Sequence, residues 1–321
     1  MQAPLAVIGS GFLRSALLQQ LALCSPGATV RVLSPVVPEQ VPGLRLEYVR
    51  GHITDQDALY AAVTGAETVV HLGTETTVPH RRHRGAGLYT INARGTAALT
   101  SAAITKDCRH LIYCSSAEVY GDGPGRLLDE DDPLAPQSRA ARAKIVGERI
   151  VEQFGLLPGK ATTVIRPFGT YGPGQPGRSV FGKIMSAALT GRPIVLPDGG
   201  TQLRNFTYVD DVAQGIIAAM GRTNDATTPR ACYNIASVET FSIRDAALLA
   251  IDLIGSASVV TAPRPSSRRK PHDRPVTVQI PSTERAYTEL GFRPLTLLTE
   301  GLSRCFMHSR VQAPGRALAY A

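Results

Sequence analysis

The sequence contains no run of about 18 or more apolar residues and so offers no ordinary transmembrane helix. Met1-Gln2-Ala3-Pro4 leads into a short apolar strand, without the charged segment and apolar core of a secretory signal, so the expected location is the cytoplasm. Its five cysteines, Cys24, Cys108, Cys114, Cys232 and Cys305, are scattered, odd in number and without a CxxC pair. That argues against a disulfide framework or a metal site and for reduced, mostly buried thiols. Lysine is scarce, at 106, 144, 160, 183 and 270 only, so the net charge of +8 comes largely from arginine. The basic clusters, His80-Arg81-Arg82-His83-Arg84 and Arg264 to Arg274, lack the interleaved aromatics of a stacking platform for single strands and follow no helical face. Nucleic acid is therefore not the expected partner. Each cluster reads as a solvated loop or as an attractor for a phosphate-bearing cofactor or acidic substrate. The arginines around His80 and His83 would repel a cation, so no metal is expected there.

What is present is regular. With 43% hydrophobic and 19% charged residues, the 321-residue chain can bury a substantial core. Leu5-Ala6-Val7-Ile8, Val30-Arg31-Val32-Leu33, Leu46-Glu47-Tyr48-Val49, Thr68 to Leu72, His110 to Cys114 and Thr162 to Ile165 read as strands. Helices are predicted over Phe12 to Leu23, Asp57 to Val63, Asn92 to Ala103 and Ser138 to Phe154. Such alternation specifies an α/β fold with a Rossmann-like, doubly wound parallel sheet. After about residue 170 the pattern loosens into Gly/Pro-rich turns such as Tyr171 to Gly177, as expected of a smaller C-terminal substrate lobe. The expected division is a nucleotide-binding domain over 1–170 and a mainly substrate-binding lobe over 171–321, with some segments returning to the first domain. The polar, turn-rich stretch from Ala262 to Pro275 is either a surface linker or a lid.

Several motifs follow in order: Gly9 to Ser15, Val69-Val70-His71-Leu72, Asn92-Ala93-Arg94-Gly95-Thr96, Ser115-Ser116-Ala117-Glu118-Val119-Tyr120-Gly121, Arg166 to Gly174 and Tyr208-Val209-Asp210-Asp211-Val212-Ala213. Together they resemble the extended short-chain dehydrogenase/reductases, which include sugar-nucleotide epimerases, dehydratases and ketoreductases. The resemblance covers nearly the whole chain, ending at Glu289 to Pro294 and Glu300-Gly301-Leu302. It implies hydride transfer with a nicotinamide cofactor, with Ser116 as the catalytic hydroxyl. Lys144 would grip the nicotinamide ribose, Gly147 and Glu148 completing the family's K-x-x-G-E spacing. Leu72, Gly73 and Thr74, together with Ser115 and Pro167-Phe168-Gly169-Thr170, would lie along the cofactor. Relatives often dimerise through helices such as those over 92–103 and 138–154, so a monomer or a homodimer is expected.

Two departures bear on the cofactor. Gly9 and Gly11, with Ser10, Phe12 and Leu13, can form a turn whose amides reach a pyrophosphate. The family spaces three glycines as GxxGxxG, whereas here Ile8 and Arg14 flank Gly11 at those spacings; the alternative is a tight turn that binds nothing. At the end of the second strand an NAD enzyme usually carries an acid for the adenosine ribose, and this chain has Ser34. A hydroxyl with Arg14 nearby suits a 2′-phosphate, which favours NADPH, with NADH possible. His52 and Ile53 stand where the adenine would lie, His52 as a pocket wall or a plain loop residue.

The third departure is catalytic. The family's proton-donating tyrosine falls four residues before its lysine, and that position is Ala140. No tyrosine occurs between Tyr120 and Tyr171, and both of those belong to turns where packing explains them. General acid help is worth ~10²–10⁴ in rate, and alanine supplies none. Either a hydroxyl on the substrate polarises the ketone while the protein orients the ring system, or Ser116 relays a proton from water with Lys144 lending positive potential. The leading expectation is reduction of a ketone on an aromatic polyketide in antibiotic biosynthesis, as resemblance to atypical angucyclinone ketoreductases implies. The alternatives are a sugar-nucleotide 4-ketoreductase or epimerase and a non-catalytic nucleotide-binding member of the family.

Overall fold

The computed structural model describes residues 3–73, 88–123, 125–177, 179–222, 229–262 and 278–312. The first part alternates as expected: β1 (Leu5–Ile8), α1 (Phe12–Cys24), β2 (Thr29–Ser34), β3 (Arg45–Arg50), α2 (Gln56–Val63), β4 (Thr68–His71), α3 (Leu88–Thr105), β5 (His110–Cys114), α4 (Arg139–Phe154) and β6 (Ala161–Pro167). The remainder comprises α5 (Val180–Leu189), β7 (Ile194–Val195), β8 (Leu203–Asn205), α6 (Val209–Met220), β9 (Arg230–Ile235), β10 (Thr240–Ser242), α7 (Ile243–Ile254), β11 (Val260–Thr261), α8 (Glu284–Leu290) and α9 (Leu298–Gln312).

Seven parallel strands form one sheet in the order β3-β2-β1-β4-β5-β6-β9, confirming the doubly wound architecture. Because side chains alternate across a strand, each central strand serves two layers. Val7, Val70, Ile112 and Ile165 pack with α1, α5 and α6, whereas Ala6, Ile8, Val69, Leu111, Tyr113 and Val164 pack with α2, α3 and α4. Truncating fully buried Ile165 to alanine would cost about 2–5 kcal/mol. The short pairs β8–β10 and β7–β11 lie outside this sheet.

Helix starts follow capping chemistry. Asp55 caps α2, its Oδ1 accepting from the Ala58 amide at 3.2 Å, and Ser138 caps α4, its Oγ accepting from the Ala141 amide at 2.9 Å. By contrast, α1 begins on Gly11, at φ 93°, with no side-chain cap. The sequence pattern named no strand at β9, a segment from the chain's second half that adds to the sheet beside β6. α3 also starts earlier than its sequence pattern indicates, at Leu88. Thr74, both arginine-rich clusters and residues 263–275 lie outside the described residues. Among the described residues no helix is long and apolar enough to cross a membrane.

Candidate functional site

Strand order reverses between β1 and β4, and a crevice opens beyond their carboxyl ends, the usual ligand position in such sheets. Ile8, Gly9, Leu33, Gly51, Ile53, His71, Gly73 and Asn92 line it. The structure thus joins the expected Gly9, Ile53 and Gly73 to two residues not anticipated as ligands, His71 and Asn92. The Asn92 side-chain nitrogen is buried and has no hydrogen-bond partner among the described residues. An asparagine on the buried side of a helix that faces strand ends was the available signal. His52 is absent from the lining; its Nδ1 lies 2.9 Å from Thr54 Oγ1 in the neighbouring loop.

Gly9 and Gly73 have φ of 136° and 76°, and the space around each is taken. A Cβ on Gly9 would come within 3.2 Å of Leu72 Cβ, and one on Gly73 would overlap Lys144 Nζ and lie 2.6 Å from the Cys114 carbonyl oxygen. The uncapped start of α1 leaves first-turn amides for an anion, with the helix dipole adding to the attraction. Phe12 and Leu13 instead pack partly against the core. Arg14 is buried at 7% exposure and donates from Nη1 to Ser34 Oγ at 3.0 Å and to the Val36 carbonyl at 3.4 Å. A guanidinium and a hydroxyl therefore occupy the end of β2, where an acid would stand in an ordinary NAD site.

The K-x-x-G-E pattern receives a separate reason for each residue, since i, i+3 and i+4 share one helix face. Lys144 Nζ donates to the Cys114 carbonyl at 2.7 Å and sits 5.4 Å from the Tyr113 ring centre. Burial draws its pKa below the usual lysine value, while the carboxylates of Glu148 and Glu118 oppose the shift. Gly147 admits the Tyr113 hydroxyl, which a Cβ would overlap. Glu148 is buried and pairs with Arg166, whose Nη2 approaches Oε2 at 2.8 Å and whose Nε donates to Oε1 at 3.1 Å.

The two serines before Ala117 part company. Ser115 is buried and its hydroxyl donates to Glu148, so its side chain serves the interior ion pair. Ser116 is half-buried at the start of a single 3-10 turn, and its Oγ accepts from the Glu118 amide at 3.2 Å, leaving its proton free to point outward. Pro167 and Phe168 are buried, Phe168 stacking on Tyr120, whereas Gly169 is exposed and Thr170 half-buried. Gly169 is itself pressed on the Asn205 carbonyl.

Ala140 lies exposed in the first turn of α4, one turn before Lys144. Among the described residues no buried tyrosine makes good the loss. Tyr120 donates to Asn234 Oδ1 at 2.7 Å and accepts from Arg166, and Tyr171 is fully enclosed among Phe181, Phe206 and Tyr208. Desolvation pushes the hydroxyls of Tyr113, Tyr120 and Tyr171 well above their ordinary pKa, the wrong direction for an acid.

Three further polar residues surround the serine loop. Glu118 accepts from Ser138 Oγ at 3.2 Å, beside the start of α4. Arg204 on β8 is partly buried, and desolvation lowers its pKa against the opposing charges of Asp122 and Glu118. Gln279 is buried and donates to the carbonyls of Ala117 at 3.1 Å and Gly121 at 2.8 Å. A second cavity, about 270 Å³, lies near β6, β9, α4 and α8 and is lined largely by charged residues, including Glu152, Arg230 and Arg285; neither Ser116 nor Lys144 borders it.

Comparison with known proteins now decides the family. Residues 6–236 match the NAD dependent epimerase/dehydratase family. The chain belongs to that family. A dTDP-glucose 4,6-dehydratase of Streptomyces niveus is 27% identical over 305 residues, covering 92% of this chain and 87% of the relative. The corresponding enzyme of Streptomyces griseus is 28% identical over 261 residues, covering 81% and 76%. Among solved structures, MoeE5 in complex with UDP-glucuronic acid and NAD superposes with a TM-score of 0.81 at 25% identity, covering 97% of this chain and 100% of that one. The UDP-glucuronic acid 4-epimerase of Bacillus cereus has the same fold, with a TM-score of 0.83 at 22% identity over 97% of this chain and 100% of that one. These relatives carry the names of sugar-nucleotide proteins, and the expected likeness to aromatic-ketone reductases finds no support among them. The two structures hold NAD, so they do not single out NADP either.

Proposed function

We propose that this family member is an NADPH-dependent ketoreductase whose substrate, an aromatic polyketide of angucyclinone type, polarises its own carbonyl. The observation that carries the reading is Ala140 beside a retained Lys144 and Ser116. The crevice suits a nicotinamide dinucleotide. Asn92 offers a buried donor without a partner among the described residues, Gly9 and Gly73 let Leu72 and Lys144 pack close to the crevice, and Arg14 with Ser34 suits a 2′-phosphate. When bound, the reduced nicotinamide supplies the hydride. Lys144 holds the nearby ribose and places positive potential behind the carbonyl, while Ser116 presents an O–H donor at the loop edge. A hydroxyl adjacent to the ketone would replace the absent acid through an internal hydrogen bond, leaving the protein to orient two reactants.

The test compares a hydroxyl-flanked aromatic ketone with its methyl ether under NADPH. The ether should react ~10²–10⁴ more slowly, the contribution of a general acid. Equal rates would sink the reading. A sugar-nucleotide redox enzyme is the second reading, and the relatives weigh in its favour, as does Arg204, a partly buried guanidinium able to grip a diphosphate. Ala140 opposes it, because an isolated sugar hydroxyl has no acidic neighbour to replace tyrosine. Turnover of dTDP-glucose or UDP-glucose, with micromolar binding of dTDP or UDP, would decide for that reading.

A further inference from the structure

His71 lies at the end of β4, 2% exposed, on a strand whose other buried residues are both valines. For stability alone another apolar residue would serve, since a buried polar ring recovers its hydration only through hydrogen bonds. It makes two. The Gly73 amide donates to Nδ1 at 3.2 Å, and Nε2 lies 3.0 Å from Thr96 Oγ1 on α3. An N–H pointing at Nδ1 requires a lone pair there, so the proton belongs on Nε2 and is donated to Thr96. The Ile8 carbonyl, which accepts the Leu72 amide at 3.0 Å, also lies near the ring and works against the lowering of its pKa. Burial, followed by the charge of Lys144, lowers the ring's pKa to about 3, and it stays neutral in ordinary buffers.

Gly73 is the backbone against which Lys144 Nζ rests, and the Cys114 carbonyl that accepts from Nζ faces the same side of the glycine. We propose that His71 is a positioning residue: from the crevice wall it holds the Gly73 amide, and Gly73 in turn fixes where the Lys144 ammonium meets the nicotinamide half of the cofactor. The chain of contacts runs Thr96, His71, Gly73, Lys144, and no member of it except Lys144 needs to carry charge. The inference rests on the nucleotide-binding reading above and names the residue that sets one end of that site.

Two measurements test it. In the cofactor-free protein, ¹⁵N-histidine NMR should show His71 as the neutral Nε2–H tautomer, unchanged between about pH 5.5 and 8. A proton on Nδ1, or titration inside that window, overturns the proposal whatever the cofactor. Separately, NADPH is titrated by its own emission, and 2′,5′-ADP, which reaches only the adenosine end, by its displacement of NADPH. His71→Leu should weaken the whole cofactor roughly tenfold, the loss of about one buried hydrogen bond, and 2′,5′-ADP less than about twofold. His71→Asn, whose Oδ1 can take the place of Nδ1, should restore most of the affinity; Thr96→Val, which leaves the Gly73 bond in place, should cost only about threefold. Equal losses for both ligands, or no loss for the whole cofactor, would show a role in packing alone. Failure of the wild type to bind either nicotinamide cofactor would instead remove the functional reading itself, and the site with it.

Discussion

Gly73→Ala perturbs the site at its tightest point. At φ 76° an alanine carries the left-handed penalty of roughly 1–2 kcal/mol. Its methyl would also overlap Lys144 Nζ and stand 2.6 Å from the Cys114 carbonyl, so the lysine must leave that acceptor. Losing a hydrogen bond to a charged group adds about 1.5–3 kcal/mol, and unfolding free energy should fall by roughly 2.5–5 kcal/mol in total. The displaced ammonium no longer meets the ribose, so cofactor dissociation should rise about 10- to 100-fold. With no tryptophan in the chain, binding can be followed by the emission of the reduced cofactor and unfolding by circular dichroism in urea. Gly65→Ala is the matched control: its φ is 75°, but a Cβ there meets nothing within 4 Å, so it should lose only the backbone penalty and leave affinity unchanged. If Gly73→Ala and Gly65→Ala behave alike in both assays, the packing of Lys144 on Gly73 has no energetic weight.

Ser34→Asp places a carboxylate beside Arg14 and should turn preference from NADPH toward NADH by about tenfold or more, read from the ratio of dissociation constants; an unchanged ratio would remove Arg14 and Ser34 from the adenosine end. Ala140→Tyr should leave turnover of a hydroxyl-flanked ketone flat or lower, because the added acid duplicates the substrate's hydroxyl and fills the space its rings require; a gain of about 10² would refute substrate assistance. His110 is buried against Thr163, and desolvation lowers its pKa from 6.5 to about 4. Below pH 6.5 the unfolded chain takes up this proton and the native state does not, so stability falls with pH, by roughly 2–3 kcal/mol at pH 4.5 from this residue. Urea midpoints of His110→Asn should vary less over that interval than those of the wild type, and an identical slope would assign the acid sensitivity elsewhere.

The sheet was legible because its central strands are short apolar runs set between turns. β9 was not, because Arg230 and Asn234 interrupt its apolar pattern and the Asn234 side chain finds its partners only in the fold: its Nδ2 donates to the Leu128 carbonyl at 3.1 Å, more than 100 positions away in sequence. Resemblance to the family, through the K-x-x-G-E spacing and the Ser115 to Gly121 motif, singled out Lys144 and Ser116. It could not separate Ser115 from Ser116, since adjacent residues leaving a strand face opposite ways and only the fold brings Glu148 under the first. His71 and Asn92 were hidden for the same reason. Both lay within recognised motifs, yet their purpose follows from the meeting of β4 with α3 at the crevice.

Gln279 ties the serine loop to a distant stretch of chain, spanning the carbonyls on either side of the 3-10 turn. The contour of that loop is therefore written in two places, once in its own residues and once more than 150 positions later. Sequence drift around 278–282 can reshape what Ser116 presents without altering a single residue of the crevice. Selectivity in such a scaffold has a remote dial, and a variant that swaps only the visible lining would inherit the setting left by the other hand.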